Sequence, residues 1–447
     1  MNSLADVKGF DKEAFAQVHA SGEQITSIRF NPAKPVSQVP NFPISLAPIP
    51  WTNYGFYLSQ RPSFTFDPLF HAGCYYVQEA SSMFLEQALR QTVDLSRPMK
   101  LLDLSAAPGG KSTHLQSLIT ADSLLVSNEV IKSRAAVLKD NIIKWGSDNV
   151  MVTCNDPSHF ARLPGYFDVL VADAPCSGSG LFRRDPEAIG EWSLNSVQLC
   201  SQRQQRILAD AWPALKENGV LIYSTCSYSR EEDEDILDWL EQELKAESLQ
   251  LAVPAGWNIV EVQGRSGAYG YRFWPDKVKG EGFFIACLRK TSGGQETRLK
   301  LKNKPEVAGR TEAATLGRWM QTEGYDFIKH EQTVYAWPAA LTADLSILLQ
   351  QLRVVYSGVR AGELLRDKLV PDHALALSGL VNDAIGRTPL TNEEAILYLQ
   401  RKDLPVRPAA AGWQLVTCEG QPLGWINALP NRINNYYPKE LRILRDN

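Results

Sequence analysis

Residues 99–112 read MKLLDLSAAPGGKS, and the rest of the chain is most easily understood outward from them. Leu101 and Leu102 form the apolar centre of a short strand, Asp103 closes it, and Gly109-Gly110 breaks the run before KSTHLQSLI (111–119), which has the composition of a helix. The same rhythm repeats downstream. SLLVSNEV (123–130) reads as a second strand, followed by the helix SRAAVLKDNIIKWG (133–146), which Gly146 stops. NVMVTCND (149–156) is a third strand. FDVLVADAP (167–175), almost continuously apolar and so buried on both faces, is a fourth. QQRILADAWPALKENG (204–219) reads as a helix and VLIYSTCS (220–227) as a fifth strand. Strands alternating with helices predict an α/β fold: a mostly parallel, Rossmann-like, doubly wound sheet.

On either side the pattern changes. Residues 1–95 hold a short helical stretch, the strand-and-turn SIRFNPAK (27–34) and six prolines between 32 and 50, a density that excludes a long helix. QEASSMFLEQALR (78–90) reads as a helix with Met83, Phe84 and Leu85 buried. TSGGQETRLKLKNKPEVAG (291–309) is polar and Gly-rich, the composition of a linker. Beyond it TVYAWP, LRVVYSG and GWQLVTCEGQPLGWINAL are short strand-like runs, which predict a mixed or β-rich C-terminal region. The expected division is a small α/β N-terminal domain (1–95), a central domain (96–290), a linker (291–304) and a C-terminal region (305–447).

The 447 residues are 44% hydrophobic and 21% charged, an ordinary core-forming composition. No apolar run approaches the length that spans a bilayer, and the N-terminus lacks a charged-then-apolar signal layout. A cytoplasmic monomer without membrane contact is the expectation. The net charge of −4 does not advertise a nucleic-acid binder. From Arg298 onward, however, 19 Lys+Arg stand against 16 Asp+Glu, an excess of three that leaves −7 in residues 1–297. TRLKLKNKP (297–305) holds four of those cations, as a solvated linker or as an RNA contact. The seven cysteines are scattered and form no C-x-x-C pair, and the six histidines are dispersed. Neither a disulfide framework nor a metal site is expected.

In a doubly wound sheet ligands bind outside the carboxyl ends of the strands. Gly109 and Gly110 there let a ligand approach bare backbone. Glu129, 26 residues after Asp103, suits ribose hydroxyls, and Asp156 at the end of the third strand suits an adenine amino group. A competing reading is a phosphate loop, because Gly110-Lys111-Ser112 ends like the motif G-x-x-x-x-G-K-[ST]. Ser105 stands where that motif needs its first glycine, and Pro108 removes a donor the cradle needs.

Cys176, in Asp173-Ala174-Pro175-Cys176, ends the fourth strand, and Cys226, in Ser224-Thr225-Cys226-Ser227, ends the fifth. Both thiols therefore face the crevice of the glycine turn. Carbon 5 of cytosine is a poor nucleophile, and addition of a thiolate at carbon 6 makes it enamine-like and able to take a methyl group from a sulfonium donor. The methylated adduct must then lose the carbon-5 proton and expel the thiol. One cysteine would be nucleophile and the other would resolve the adduct. Asp173 would hydrogen-bond the N3/N4 edge of the base, and Lys111 would add positive potential that lowers a thiol pKa. A catalytically silent RNA-binding assembly factor is the alternative without chemistry, and retention of Asp173, Cys176 and Cys226 together argues against it.

With these residues in place, the chain resembles the Sun-type (NOL/NOP/Sun, RsmB/RsmF-like) RNA cytosine-5 methyltransferases over roughly residues 25–290. The motifs are SIRFNPAK, HAGCYYVQEASSMF, DLSAAPGGKS, SRAAVLKDNIIKWG, DAPCSGSGLFRRDPEAIGEWS, YSTCSYSREEDEDIL and GEGFFIACLRK. The resemblance implies S-adenosyl-L-methionine as cofactor, with contacts from Ala106, Ala107, Pro108, Gly109, Gly110, Lys111, Glu129, Arg134, Asp156 and Asp173; for Arg134 a plain helix-surface role is the alternative. It places the nucleophile on Cys226 and assistance of product release on Cys176. Ser105 stands where the family usually has cysteine, and Asp276 (in RFWPD) where it usually has histidine. The segments 352–377 and 431–442 resemble the PUA-like tails of bacterial enzymes that methylate small-subunit ribosomal RNA. That implies rRNA or the small ribosomal subunit as partner, with transfer RNA as the alternative substrate, and Tyr436, Tyr437, Lys439 and Arg442 as RNA contacts or as seals of a small barrel.

Overall fold

The computed structural model describes residues 2–36, 45–292, 304–406, 408 and 410–445. Most of the 291–304 linker and of the basic run 297–305 lies outside them. Strand β1 (Thr26–Phe30), β2 (Leu46–Pro48), β3 (Gly55–Leu58) and β4 (Tyr75–Val77) form an antiparallel N-terminal sheet in the order β2-β3-β1-β4. The expected helix over 78–90 begins later. The Glu79 carboxylate accepts hydrogen bonds from the backbone N–H groups of Ser81 and Ser82, so a 3-10 turn Ser81–Phe84 precedes the helix Leu85–Thr92.

The central sheet is built from β5 (Lys100–Asp103), β6 (Leu124–Asn128), β7 (Val150–Thr153), β8 (Phe167–Asp173) and β9 (Leu215–Thr225), all parallel, in the order β7-β6-β5-β8-β9. Val126, Val152, Val169, Leu170, Val171 and Ile222 are at most 1% exposed, as strands covered on both faces require. The helix Lys132–Trp145 ends at Gly146, whose φ of 91° lies in the left-handed region that suits a helix terminus. The helix read over 204–219 instead occupies Leu194–Ala211. Pro213 cannot continue it, and Leu215 already belongs to β9.

Beyond β9 the sheet turns antiparallel. β10 (Ala246–Leu249), β11 (Val260–Gln263), β12 (Tyr269–Phe273) and β13 (Phe283–Lys290) follow, with β13 beside β9, β12 beside β13, β11 at the edge and β10 also on β13. The opposite edge comes from far along the chain. After β14 (Tyr325–His330) and β15 (Thr333–Pro338), the helix Thr342–Gln351 leads into β16 (Val354–Ser357), which pairs antiparallel with β7. Leu341, Leu345, Leu348 and Leu352 of this excursion are buried in the same core as Met151, Phe160 and Phe167. The segment 305–447, read as a separate C-terminal region, thus supplies an outer strand of the central sheet.

The remaining C-terminal strands make two sheets. β17 (Val359–Leu365) and β18 (Lys368–Pro371) complete a sheet β14-β15-β17-β18. β19 (Arg387–Leu390), β20 (Gly412–Cys418), β21 (Gln421–Leu429) and β22 (Arg432–Asn435) make the other in sequence order. Leu390 and Val416 of this sheet, Tyr398 of the helix Asn392–Leu399 and Tyr437 after β22 share a core with Ile28, Leu69 and Tyr75 of the N-terminal part. Tyr437 is 3% exposed and Tyr436 40%, so of the two tyrosines among the four expected RNA contacts Tyr437 is a core residue and Tyr436 a surface one. Among the described residues no helix is long and apolar enough to cross a membrane.

Candidate active site

The sheet order reverses at β5, with β6 on one side and β8 on the other, which opens a crevice at the carboxyl ends. Asp103 ends β5 fully buried. Its Oδ2 accepts a hydrogen bond from Ser112 Oγ at 2.7 Å, while Oδ1 is buried without a partner. Burial pushes its pKa up to about 7 against the pull of Ser112. The turn that follows is tied on three sides. Ala106 N donates to Asn128 O at 2.8 Å, Arg134 NH2 to Ala107 O at 2.9 Å and Asn141 Nδ2 to Pro108 O at 2.8 Å. Gly109 has φ 118°, and a Cβ there would meet Leu138 Cδ1 at 3.3 Å, so both conformation and packing call for glycine.

Lys111 and Ser112, which a phosphate loop would turn toward a nucleotide, point inward. Lys111 Nζ lies 2.8 Å from Asp173 Oδ2, and Ser112 Oγ is buried between Asp103 and Ser127. Burial works to discharge Lys111, but Asp173, helped by Asp103 and Cys226, more than offsets it, and the pKa of Lys111 is raised. The ammonium is a fixed positive charge in the crevice.

The acceptors expected for the cofactor lie at neighbouring strand ends. Glu129 directly follows β6 and is 2% exposed; its Oε1 accepts from Ile131 N at 3.0 Å. Arg134, half exposed, sets NH1 3.6 Å from Glu129 Oε2, so this arginine bridges the turn and Glu129 instead of lying free on the helix surface. Asp156, after β7, is exposed, and its Oδ1 caps the 3-10 helix Pro157–Arg162 through Ser158 N and Ser158 Oγ. The Ser158 hydroxyl lowers its pKa.

The two thiols meet. Asp173 and Ser224 are register partners on β8 and β9, and Ser224 Oγ donates to Asp173 Oδ1 at 2.8 Å. Just beyond, Cys176 Sγ stands 3.0 Å from Cys226 Sγ. The hydrogen bond with Cys226, then burial, pushes the Cys176 thiol well above its usual range. Asp173 thus carries Lys111 on one oxygen and Ser224 on the other, beside the sulfur pair.

Two buried charges at this site lie inside quoted motifs, SIRFNPAK and YSTCSYSREEDEDIL, that assign them no role. Arg29 on β1 is 1% exposed. Its NH2 donates to Thr113 Oγ1 at 2.7 Å and Gly110 O at 3.3 Å, NH1 to Ser117 Oγ at 3.1 Å, and Nε to Gln78 Oε1 at 2.9 Å. The N-terminal sheet therefore grips the helix behind the glycine turn. Glu232, 0% exposed, accepts from Ser177 and Ser227, the residues directly after the two cysteines. It sits in the acidic run REEDED (230–235) of the motif YSTCSYSREEDEDIL. Arg272, whose guanidinium pairs with Asp233 and Glu234 at 3.0 and 2.5 Å, draws the run inward. Asp276, in the family's histidine position, is nearly buried with Lys277 Nζ 2.9 Å away.

Comparison with known proteins adds to this geometry. The family described as 16S rRNA methyltransferase RsmB/F matches residues 91–289, the RsmF PUA domain residues 387–443, and the N-terminal domain of 16S rRNA methyltransferase RsmF residues 1–80. A ribosomal RNA small subunit methyltransferase F of Salmonella paratyphi A is 31% identical over 437 residues, covering 94% of this chain and 89% of that protein. Its namesake from Escherichia coli O7:K1 is 31% identical over 415 residues, covering 89% and 85%. Among solved structures, a methyltransferase homolog protein from Pyrococcus horikoshii superposes with a TM-score of 0.50 at 28% identity, covering 62% of this chain and 90% of that one. Identity of this extent, over nearly the whole length, places the chain in the 16S rRNA methyltransferase RsmB/F family.

Proposed function

We propose that this protein is an S-adenosylmethionine-dependent RNA (cytosine-5)-methyltransferase, acting on small-subunit ribosomal RNA through a covalent bond between Cys226 Sγ and cytosine carbon 6. The observation that carries the reading is the 3.0 Å approach of Cys176 and Cys226 beside Asp173 and Lys111. A methyltransferase that modifies an amino group has no use for such a pair.

The crevice suits the cofactor. Gly109 and Gly110 leave backbone bare at the switch point, Ala106, Ala107 and Pro108 line the turn, and Glu129 offers a carboxylate on a rigid strand end for ribose hydroxyls. Asp156 and Arg134 flank these groups. When bound, S-adenosylmethionine supplies an electrophilic methyl group.

The protein's own part is as follows. Cys226 Sγ, as thiolate, bonds to carbon 6, and the electron pair displaced onto the ring makes carbon 5 nucleophilic. Asp173, held by Lys111 and Ser224, hydrogen-bonds the N3/N4 edge of the base. After methylation carbon 5 carries both methyl and hydrogen. Loss of that proton to solvent water lets the C5–H pair restore the C5–C6 double bond and returns the C6–S pair to Cys226 Sγ. Cys176, beside that bond, assists the expulsion. The target cytosine reaches the crevice single-stranded or flipped from a helix, and the C-terminal region engages the RNA around it. The naming of relatives along almost the whole chain supports ribosomal RNA over transfer RNA.

The test is incubation with radiolabelled S-adenosylmethionine and, separately, ribosomal RNA, transfer RNA and small subunits, followed by nucleoside analysis. Label in 5-methylcytosine of small-subunit RNA is expected. Label only in transfer RNA would overturn the substrate, and cofactor binding without label in any nucleoside would overturn the reaction.

A further inference from the structure

Glu232 lies six residues beyond Cys226, yet its side chain serves both cysteine loops. Its Oε1 accepts from Ser177 N at 2.7 Å. Its Oε2 accepts from Ser177 Oγ at 2.6 Å and from Ser227 Oγ at 2.6 Å. Ser177 follows Cys176 and Ser227 follows Cys226, so one carboxylate joins the residue after each thiol. The residue is itself fixed: Tyr223 OH donates to the Glu232 backbone carbonyl at 2.6 Å, and Gln204 Nε2, which also donates to Pro175 O at 3.0 Å, lies 3.5 Å from Oε1.

We propose that Glu232 is a positioning residue that holds Cys176 and Cys226 at reacting distance by bridging Ser177 and Ser227. A buried carboxylate is costly unless its lone pairs are filled, and three short hydrogen bonds fill them here. Burial raises the Glu232 pKa while Ser177 and Ser227 work to lower it, as expected of an acid bound by those two loops. The strands alone bring β8 and β9 side by side only as far as Asp173 and Ser224. Beyond them Ala174 N donates to Ser224 O at 2.9 Å, Gly180 N to Cys226 O at 2.8 Å and Tyr228 N to Ser179 Oγ at 2.9 Å across the two loops. Glu232 adds a charged link between Ser177 and Ser227, the residues directly after the two thiols. Its catalytic consequence rests on the two-thiol reading of the site; its effect on thiol spacing does not.

The test separates these. Diamide oxidises two neighbouring thiols to a disulfide and is itself reduced to the hydrazine form, and peptide mass spectrometry reads the Cys176–Cys226 link without any RNA present. In the full-length protein E232A is expected to close no such link in the time that wild type closes it, while still binding S-adenosylmethionine. Its kcat for 5-methylcytosine formation should fall about 100-fold with KM for RNA little changed, the scale expected of a misplaced reacting group. E232Q should restore most of both, because the amide oxygen accepts from Ser177 N and the amide hydrogens reach the two hydroxyls. Closure by E232A at the wild-type rate, or slowed closure with normal kcat, overturns the proposal. Should E232A lose cofactor binding, the S177A/S227A pair carries the same readout: slow closure supports the bridge and wild-type closure overturns it. If wild type closes the link but forms no 5-methylcytosine, the proposed reaction fails while the bridge is still decided.

Discussion

Lys111 Nζ sits 2.8 Å from Asp173 Oδ2, so the glycine turn after β5 and the cysteine loop after β8 are joined by a single ion pair. The Lys111 side chain is largely withdrawn from water and that of Asp173 is 35% exposed, and a half-buried pair of this kind is worth keeping only if its geometry is good. Ser224 on the other Asp173 oxygen supplies that geometry. The pair therefore aims the carboxylate and fixes the positive charge at once. Asp173→Asn keeps the shape and loses the charge. We expect kcat to fall by roughly 100-fold or more, with cofactor affinity far less affected. Steady-state kinetics with isothermal titration of the cofactor would check this, and equal losses in both would point to a collapsed turn.

The sulfur pair predicts opposite behaviour for two alanine variants. Cys226→Ala removes the bond-forming atom, so methylation should disappear while S-adenosylmethionine binding is retained. Cys176→Ala leaves addition intact and hinders expulsion, so a protein–RNA adduct that survives denaturing gels should accumulate. Normal turnover by Cys176→Ala with no adduct would sink the division of roles.

What the sequence revealed and what it hid follow from where the information lies. Asp103, Gly109, Lys111, Asp173, Cys176 and Cys226 are each in an unbroken motif at the end of an apolar run, and the rule for parallel sheets carries those ends to one crevice. Arg29 cannot be read this way. Its partners Gly110, Thr113 and Ser117 lie 81 to 88 residues away, and nothing in SIRFNPAK says that the arginine is buried. Glu232 is hidden by its neighbours, since an acidic run resembles a solvated surface until Arg272 is known to face it. β16 was legible as a strand from its β-branched pair, Val354 and Val355, but not its partner, because antiparallel pairing with β7 spans some 200 residues.

Asp103 makes a prediction about pH. Its pKa rises from 3.8 to about 7 on burial, so between those values the folded protein keeps a proton that the unfolded chain has released. Folding stability from this group is greatest below the unfolded value and is lost as pH climbs through the folded one. Asp103→Asn has no proton to lose. Its melting temperature should gain on wild type as pH is raised from about 5 to about 8, and then run parallel. A constant difference across that range would show that Asp103 is already ionised in the folded state.

Arg29→Met tests the grip of the N-terminal sheet. Methionine replaces much of the volume but none of the hydrogen bonds to Gln78, Gly110, Thr113 and Ser117, and it ends the stacking on Trp145, whose ring lies 4.6 Å from the guanidinium. Burying an arginine is costly, as its depressed pKa of about 9 records, so part of the loss is returned. The unpaired carbonyl and hydroxyls left behind decide the balance, at about 2–3 kcal/mol of net destabilisation. Chemical denaturation should show it, together with weaker cofactor binding, because the released helix carries the glycine turn.

The excursion into the central sheet makes the last prediction. A chain ending at residue 292 lacks β16 and the helix Thr342–Gln351, with Leu341, Leu345, Leu348 and Leu352. Burying one leucine is worth roughly 1.5–3 kcal/mol, so four of them approach the whole stability of a typical domain, about 5–15 kcal/mol. The shortened chain also bares β7 as an edge strand, an invitation to aggregate. It should be insoluble or fail to bind S-adenosylmethionine. A full-length chain carrying Tyr436→Ala keeps β16, the leucines and the C-terminal core and changes a side chain that is 40% exposed, so it should bind the cofactor while binding RNA more weakly. Comparable cofactor binding by both chains would mean that β16 and its helix decorate the central domain without completing it.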